Sequence, residues 1–180
     1  MRTRTAAPNS AKTNLPERLA RAYDAQLDAA REQHAHGVPI VAVVGSTVPA
    51  EHCHAHAGMP VYLRPDPLAP TPRADRYIGS ESWRMKSIVE LALCGELAFV
   101  QVLMLTRGSE WMYYNLKEIV RRGEGAGVPR LYLHDYVPTN TEEAELYNRG
   151  RNTALREELN RAVGAGSPAD LQRAVQLSSR

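Results

Sequence analysis

Glu51-His52-Cys53-His54-Ala55-His56 is the densest run of chemically capable side chains in the sequence. On a helix, His52 and His56 share a face at i, i+4, a spacing that can chelate a transition metal, and Glu51 offers a carboxylate for moving a proton. The competing reading makes the histidines polar helix positions, Cys53 an inward-packed thiol, and Glu51 a first-turn acid that complements the helix dipole. No third ligand stands at a fixed spacing, so no metal is expected. His134-Asp135 is a second acid/base candidate, although neighbours on a strand point to opposite faces. Ser46-Thr47 and Thr106-Arg107-Gly108-Ser109 add hydroxyls and a cation, with Ser109 read first as a helix cap. Trp83, Trp111, Tyr113 and Tyr114 read as core or interface aromatics, or alternatively as the lining of an acyl pocket.

These residues gain meaning from the elements that must hold them. Val38 to Val44 is a short, β-branched apolar run between Gly37 and Gly45, the pattern of a buried parallel strand. Thr47 or Val48 can then cap a helix that takes Pro49 at its first position. Val61-Tyr62-Leu63 predicts a second strand, the Pro-rich Arg64 to Pro72 a loop, and Ser82 to Leu97 a helix with Met85, Ile88, Val89, Leu91, Ala92 and Leu93 in its apolar face. Phe99 to Leu105 predicts a third strand, Ser109 to Arg122 a helix closed by Gly123, and Arg130 to His134 a fourth strand. Before them, Leu19, Ala22, Tyr23, Leu27 and Ala30 mark an amphipathic helix ending near Gly37. After them, Thr141 caps a long charged helix carrying Ala144, Leu146, Tyr147, Leu155 and Leu159, and Ser167-Pro168-Ala169-Asp170 caps a last one. The expected fold is α/β: a single domain over 15–180 with a four-stranded parallel sheet flanked by helices, preceded by a flexible arm over 1–14. In such sheets ligands bind off the carboxyl ends of the strands, where Ser46, Thr47, Arg64, Arg107, Ser109 and His134 would gather.

Composition sets the outer limits. The 180 residues are 43% hydrophobic and 23% charged, which is globular rather than disordered. No apolar run reaches a membrane span and the start has no signal-peptide core, so a cytoplasmic protein is expected. Two cysteines without CxxC spacing are no disulfide framework. The formal charge of +2 gives no reason to expect nucleic acid. Dinucleotide, P-loop and nucleophile-elbow signatures are absent.

Pro49-Ala50-Glu51, then Ala55, Gly58 and Pro60-Val61-Tyr62-Leu63, resembles the P-x-E-x-x-x-A-x-G…P segment of the 2-hydroxyacyl-CoA dehydratase and benzoyl-CoA reductase subunit family. Arg73-Ala74-Asp75-Arg76-Tyr77, Met85-Lys86-Ser87, Tyr132-Leu133-His134-Asp135-Tyr136-Val137-Pro138 and Glu145-Leu146-Tyr147 continue the likeness in order. The resemblance runs from about Leu15 to Val175 and covers the N-terminal half of a family subunit. In that family this half supplies two cysteines to a [4Fe-4S] cluster. Here Ser82 or Glu81 stands at the first place and Ser109-Glu110 at the second, and oxygen donors replace thiolates poorly around iron–sulfur clusters. The resemblance therefore implies no cluster and no other cofactor, with acid/base chemistry of lyase or isomerase type on an acyl or acyl-thioester substrate. Glu51, Ser46 and His134 would be the catalytic residues, and Thr47, Arg64, Arg107, Ser109 and Ser82 would contact substrate. The alternative is a non-catalytic partner subunit of a hetero-oligomeric complex of this kind. A homodimer or a related partner subunit is expected, and no membrane association.

Overall fold

Strand β1 (Ile40–Val44) is buried along its whole length, so it must lie inside a sheet covered on both faces. A computed structural model, which describes residues 15–79 and 85–179, places it there. The expected arm over 1–14, together with Ser82 and Trp83, lies outside the described residues. Helix α1 (Leu15–Ala35) precedes β1, and α2 (Ala50–Ala55) leads to β2 (Met59–Tyr62). Then follow α3 (Lys86–Leu93), β3 (Val100–Thr106), α4 (Glu110–Arg121), β4 (Arg130–His134), α5 (Glu142–Ala162) and α6 (Pro168–Ser178). All four strands run parallel in the order β2-β1-β3-β4.

The two-residue period of the strands divides the core. Ile40, Ala42 and Val44 of β1, with Leu103 and Leu105 of β3, face Ala30, Ile88, Val89, Met112 and Leu116 on α1, α3 and α4. Val41, Val43, Val102 and Met104 face the other way, onto Cys53 of α2 and Leu155 and Leu159 of α5. Helix α6 packs on α2 and does not enter the sheet. Its start is the capping box expected from Ser167 and Asp170, with each side chain bonding the other's backbone N–H at 3.1 Å.

Several expected boundaries shift for identifiable reasons. Pro49, with φ −68° and ψ 112°, is the cap of α2 rather than its first residue, because Val48 is drawn into the core ahead of it. The second strand starts at Met59, whose N–H donates to the Pro39 carbonyl at 2.9 Å. Leu146 and Tyr147 are exposed, since the buried stripe of α5 runs through Ala144, Leu155 and Leu159. Tyr114 is exposed for the same reason, outside the Met112, Leu116 and Ile119 stripe of α4.

Beyond β2 the Pro-rich loop is anchored by one buried carboxylate. Glu90 Oε2 accepts from the backbone N–H groups of Arg73 and Ala74 at 2.9 and 2.8 Å, and its other oxygen accepts from the Cys94 thiol. Glu90→Leu will leave two N–H groups buried and unpaired, at a cost of about 2 kcal/mol in urea unfolding. Glu90→Gln keeps an acceptor in place and will cost less than half of that; equal losses in the two variants would refute this anchoring.

Candidate functional site

The chain leaves β1 toward one face of the sheet and β3 toward the other, so their carboxyl ends open a crevice where the strand order reverses. Gly45 forms one wall. It adopts φ +107°, and a Cβ there would stand 1.8 Å from Thr106 Oγ1 of the neighbouring strand. That hydroxyl donates to the Val44 carbonyl at 3.1 Å and ties the two strand ends together.

On the α4 side the crevice is closed by the protein's own groups. Ser109 Oγ donates to the Thr106 carbonyl at 2.6 Å and accepts from the Thr106 N–H at 3.1 Å, with Ser109 buried. Glu110 takes the Gly108 N–H at 2.7 Å. Ser109 was expected to face a ligand with the start of this helix; its hydroxyl serves the turn, and the Glu110 carboxylate holds the Gly108 N–H just ahead of the helix.

The α5 side is open. A cleft of about 350 Å³ is lined by Ser46, Thr47, Val48, Pro49, Tyr136 and Asn152. Asn152, in the lining of this cleft, is one of several residues with a buried polar atom left unpaired. Its Oδ1 has no hydrogen-bond partner among the described residues, and the same holds for both ring nitrogens of His134, Arg151 Nε, His52 Nδ1 and the Tyr132 hydroxyl. His134 ends β4 opposite Thr106 and is 0% exposed. Its ring lies 6.5 Å from that of Tyr132, and Arg151 is held by donating from Nη2 to the Leu133 carbonyl at 2.6 Å. Burial, aided by the Arg151 and His52 charges, pushes His134 down from 6.5 to about 4. The ring is therefore neutral at physiological pH, one nitrogen donating and the other accepting. Burial also lowers His52, with the His56 and Arg156 charges adding to it. Of these groups only Asn152 lines the cleft; His134 and Arg151 are not among its lining residues.

The remaining sequence candidates are dispersed. Glu51 is half-buried in the first turn of α2 and is not among the residues lining the cleft. Arg64 and Arg107 are exposed, following β2 and β3 respectively, and Ser82 is outside the described residues. His134 and Asp135 part company at the strand end, where Asp135 accepts from the Tyr147 hydroxyl at 2.8 Å. His52 lies in α2 and His56 is its C-cap, but both His56 nitrogens are engaged, Nδ1 with the His52 carbonyl at 2.7 Å and Nε2 with Asn160 Oδ1 at 3.1 Å. No group of three potential ligands close enough for a metal ion occurs among the described residues. Nor do the residues fit an iron–sulfur cluster. Ser109 is consumed by its turn, Cys53 is buried under α5 with its thiol pushed up to about 12 by burial, and Cys94 lies at the far end of α3.

Tyr132, Arg151, Asn152 and Tyr136 escaped the sequence reading of the site. The signal for the α5 pair was available: Asn148, Arg151 and Asn152 continue the inward stripe of Ala144, Leu155 and Leu159. Polar residues at positions where the helical period calls for aliphatic ones mark a place where the core is given up for something else. Compared with protein-family models and with curated proteins, the chain matches none.

Proposed function

We propose that this chain binds a small acyl or acyl-thioester substrate at the Ser46–Thr47–Tyr136–Asn152 cleft and carries out acid/base chemistry of lyase or isomerase type without an iron–sulfur cluster. The observation that carries the reading is His134, fully buried within the influence of the Arg151 charge and with no hydrogen-bond partner for either ring nitrogen among the described residues. Buried polar groups without partners are rare and gather at functional places. The resemblance to 2-hydroxyacyl-CoA dehydratase subunits supports the acyl class and adds Glu51 as a partner acid.

Without one-electron chemistry, the departing proton must be one the thioester carbonyl acidifies, on the adjacent carbon. The hydroxyl must then leave from the next carbon along, carrying a proton delivered by the acid. His134 accepts the first proton, Asn152 and the Thr47 hydroxyl orient the substrate oxygens, and water is the second product. The test is a 3-hydroxyacyl-CoA and its enoyl-CoA incubated with protein purified without oxygen, following enoyl absorbance, with iron and sulfide analysed on the same sample. His134→Gln will lower turnover by about a hundredfold. Glu51→Gln will do the same, and full turnover there removes Glu51 from the mechanism. Full turnover in both variants refutes the reading, and iron and sulfide in cluster proportion refute its cluster-free chemistry.

A second reading, a non-catalytic partner subunit, is favoured by the apolar side chains exposed at the β4–α5 corner: Tyr136, Leu146 at 73% and Tyr147. A dimer or paired complex dispersed by Leu146→Glu, with no turnover in the parent protein, would support this reading over the first.

A further inference from the structure

A second, larger cavity lies on the opposite flank of α2, between it, α5 and α6. It measures about 480 Å³, within the roughly 300–1,000 Å³ typical of small-molecule pockets. Ala55, Leu171 and Val175 give it an apolar wall, while His52, His56 and Arg156 supply polar groups. No aspartate or glutamate lines it.

Arg156 differs from three of the other arginines on these helices. Arg149, Arg161 and Arg173 are each paired with a carboxylate three or four residues away. Arg156 forms no ion pair among the described residues. His56 is 5% exposed, with Nδ1 at the His52 carbonyl and Nε2 at Asn160 Oδ1. The Asn160 oxygen that faces Nε2 also accepts from the Gly166 N–H at 3.3 Å, which fixes the orientation of that amide. The chain can approach this closely because residue 166 is glycine: a Cβ would meet the Ala55 carbonyl oxygen at 2.6 Å and His56 Nδ1 at 2.9 Å. His52 adds a buried Nδ1 with no hydrogen-bond partner among the described residues. The cavity thus sets an apolar wall beside a guanidinium that no carboxylate of the described residues neutralises.

We infer that the pocket between α2, α5 and α6 is a binding site for a small amphipathic carboxylate, its aliphatic body against Leu171 and Val175 and its carboxylate on Arg156 and His52. An apolar wall alone would accept any hydrophobe; an unpaired guanidinium beside it, with no acid in the lining, selects the anion. The site is separate from the strand-edge cleft, although His52 touches both the pocket and the buried cluster around His134.

Calorimetric titration of the full chain with hexanoate, and with hexanamide as its uncharged match, tests the assignment. Hexanoate will bind saturably and at least about tenfold more tightly than hexanamide. Arg156→Gln will weaken hexanoate by about tenfold. Val175→Trp, placed at a half-exposed position so that the fold is kept, will fill the pocket and abolish binding. Equal affinities for the acid and the amide overturn the inference, as does an absence of saturable binding. Binding that survives Val175→Trp but is lost in Asn152→Leu also overturns it, because the ligand then sits in the strand-edge cleft.

Discussion

Stability will fall by about 3 kcal/mol as the pH drops from about 7 to about 4, and His134 will account for most of the loss. In the unfolded chain this histidine takes its proton near 6.5, whereas in the fold it does so only near 4. Between those values the unfolded state binds more protons, so stability is complete above the upper value and declines as the pH approaches the lower one. His52 is shifted in the same direction and steepens the same window. Carboxylates held low by arginine, such as Glu118 at about 2, begin to lose their contribution only as the pH falls past their ordinary value of 4.5, so the loss between about 6.5 and about 5 reports the histidines. Urea unfolding at several pH values, repeated on His134→Gln, provides the measurement. A variant that keeps the full acid sensitivity of the parent would show that His134 is not its origin. The prediction bears on function too, because a ligand that satisfies the imidazole will shift the midpoint of this acid transition.

Gly45→Ala will destabilise the fold by about 4 kcal/mol, lowering the melting temperature by about 10 °C in a chain of this size. Two effects combine. The residue adopts φ +107°, which a side chain rarely tolerates, and the new methyl would lie 1.8 Å from Thr106 Oγ1. Rotating Thr106 brings no relief, since its Cβ and Cγ2 lie 3.0 and 3.3 Å from the same point and its hydroxyl is tied to the Val44 carbonyl. Adding Thr106→Ala to Gly45→Ala removes the contact with the Thr106 hydroxyl but not the backbone strain, so roughly half of the loss will be recovered. If the double variant recovers nothing, the contact at Thr106 is irrelevant and the backbone alone sets the cost.

The fold was legible because its elements repeat simple periods. A continuous β-branched run such as Val41 to Val44 has few alternatives to a buried central strand, and alternation with amphipathic helices leaves little but a parallel sheet. Strand order was not written in any one segment. It depends on which face each crossover helix covers, and that emerges only when Val41 and Val43 meet α5 while Ile40 and Ala42 meet α3 and α4. The site was less legible than the fold. Ser46, Thr47 and His134 follow from the rule for strand ends, but their companions Arg151 and Asn152 arrive from a helix more than a hundred residues beyond β1. Ser109 illustrates the opposite error: a hydroxyl at the right strand end is spent on its own backbone, because a buried turn must satisfy its N–H and carbonyl groups before any ligand.

The sheet order also has a kinetic consequence. Strand β1 pairs with β2 across a single short helix, and β3 pairs with β4 in the same local manner, but Ile40 finds its other partner only at Val100. Each βαβ half can therefore assemble from nearby contacts, while the seam between β1 and β3 requires closure of a much longer stretch of chain. That seam is also where Gly45 meets Thr106 and where the crevice opens. The seam that asks for the longest closure is thus the one that shapes the candidate site.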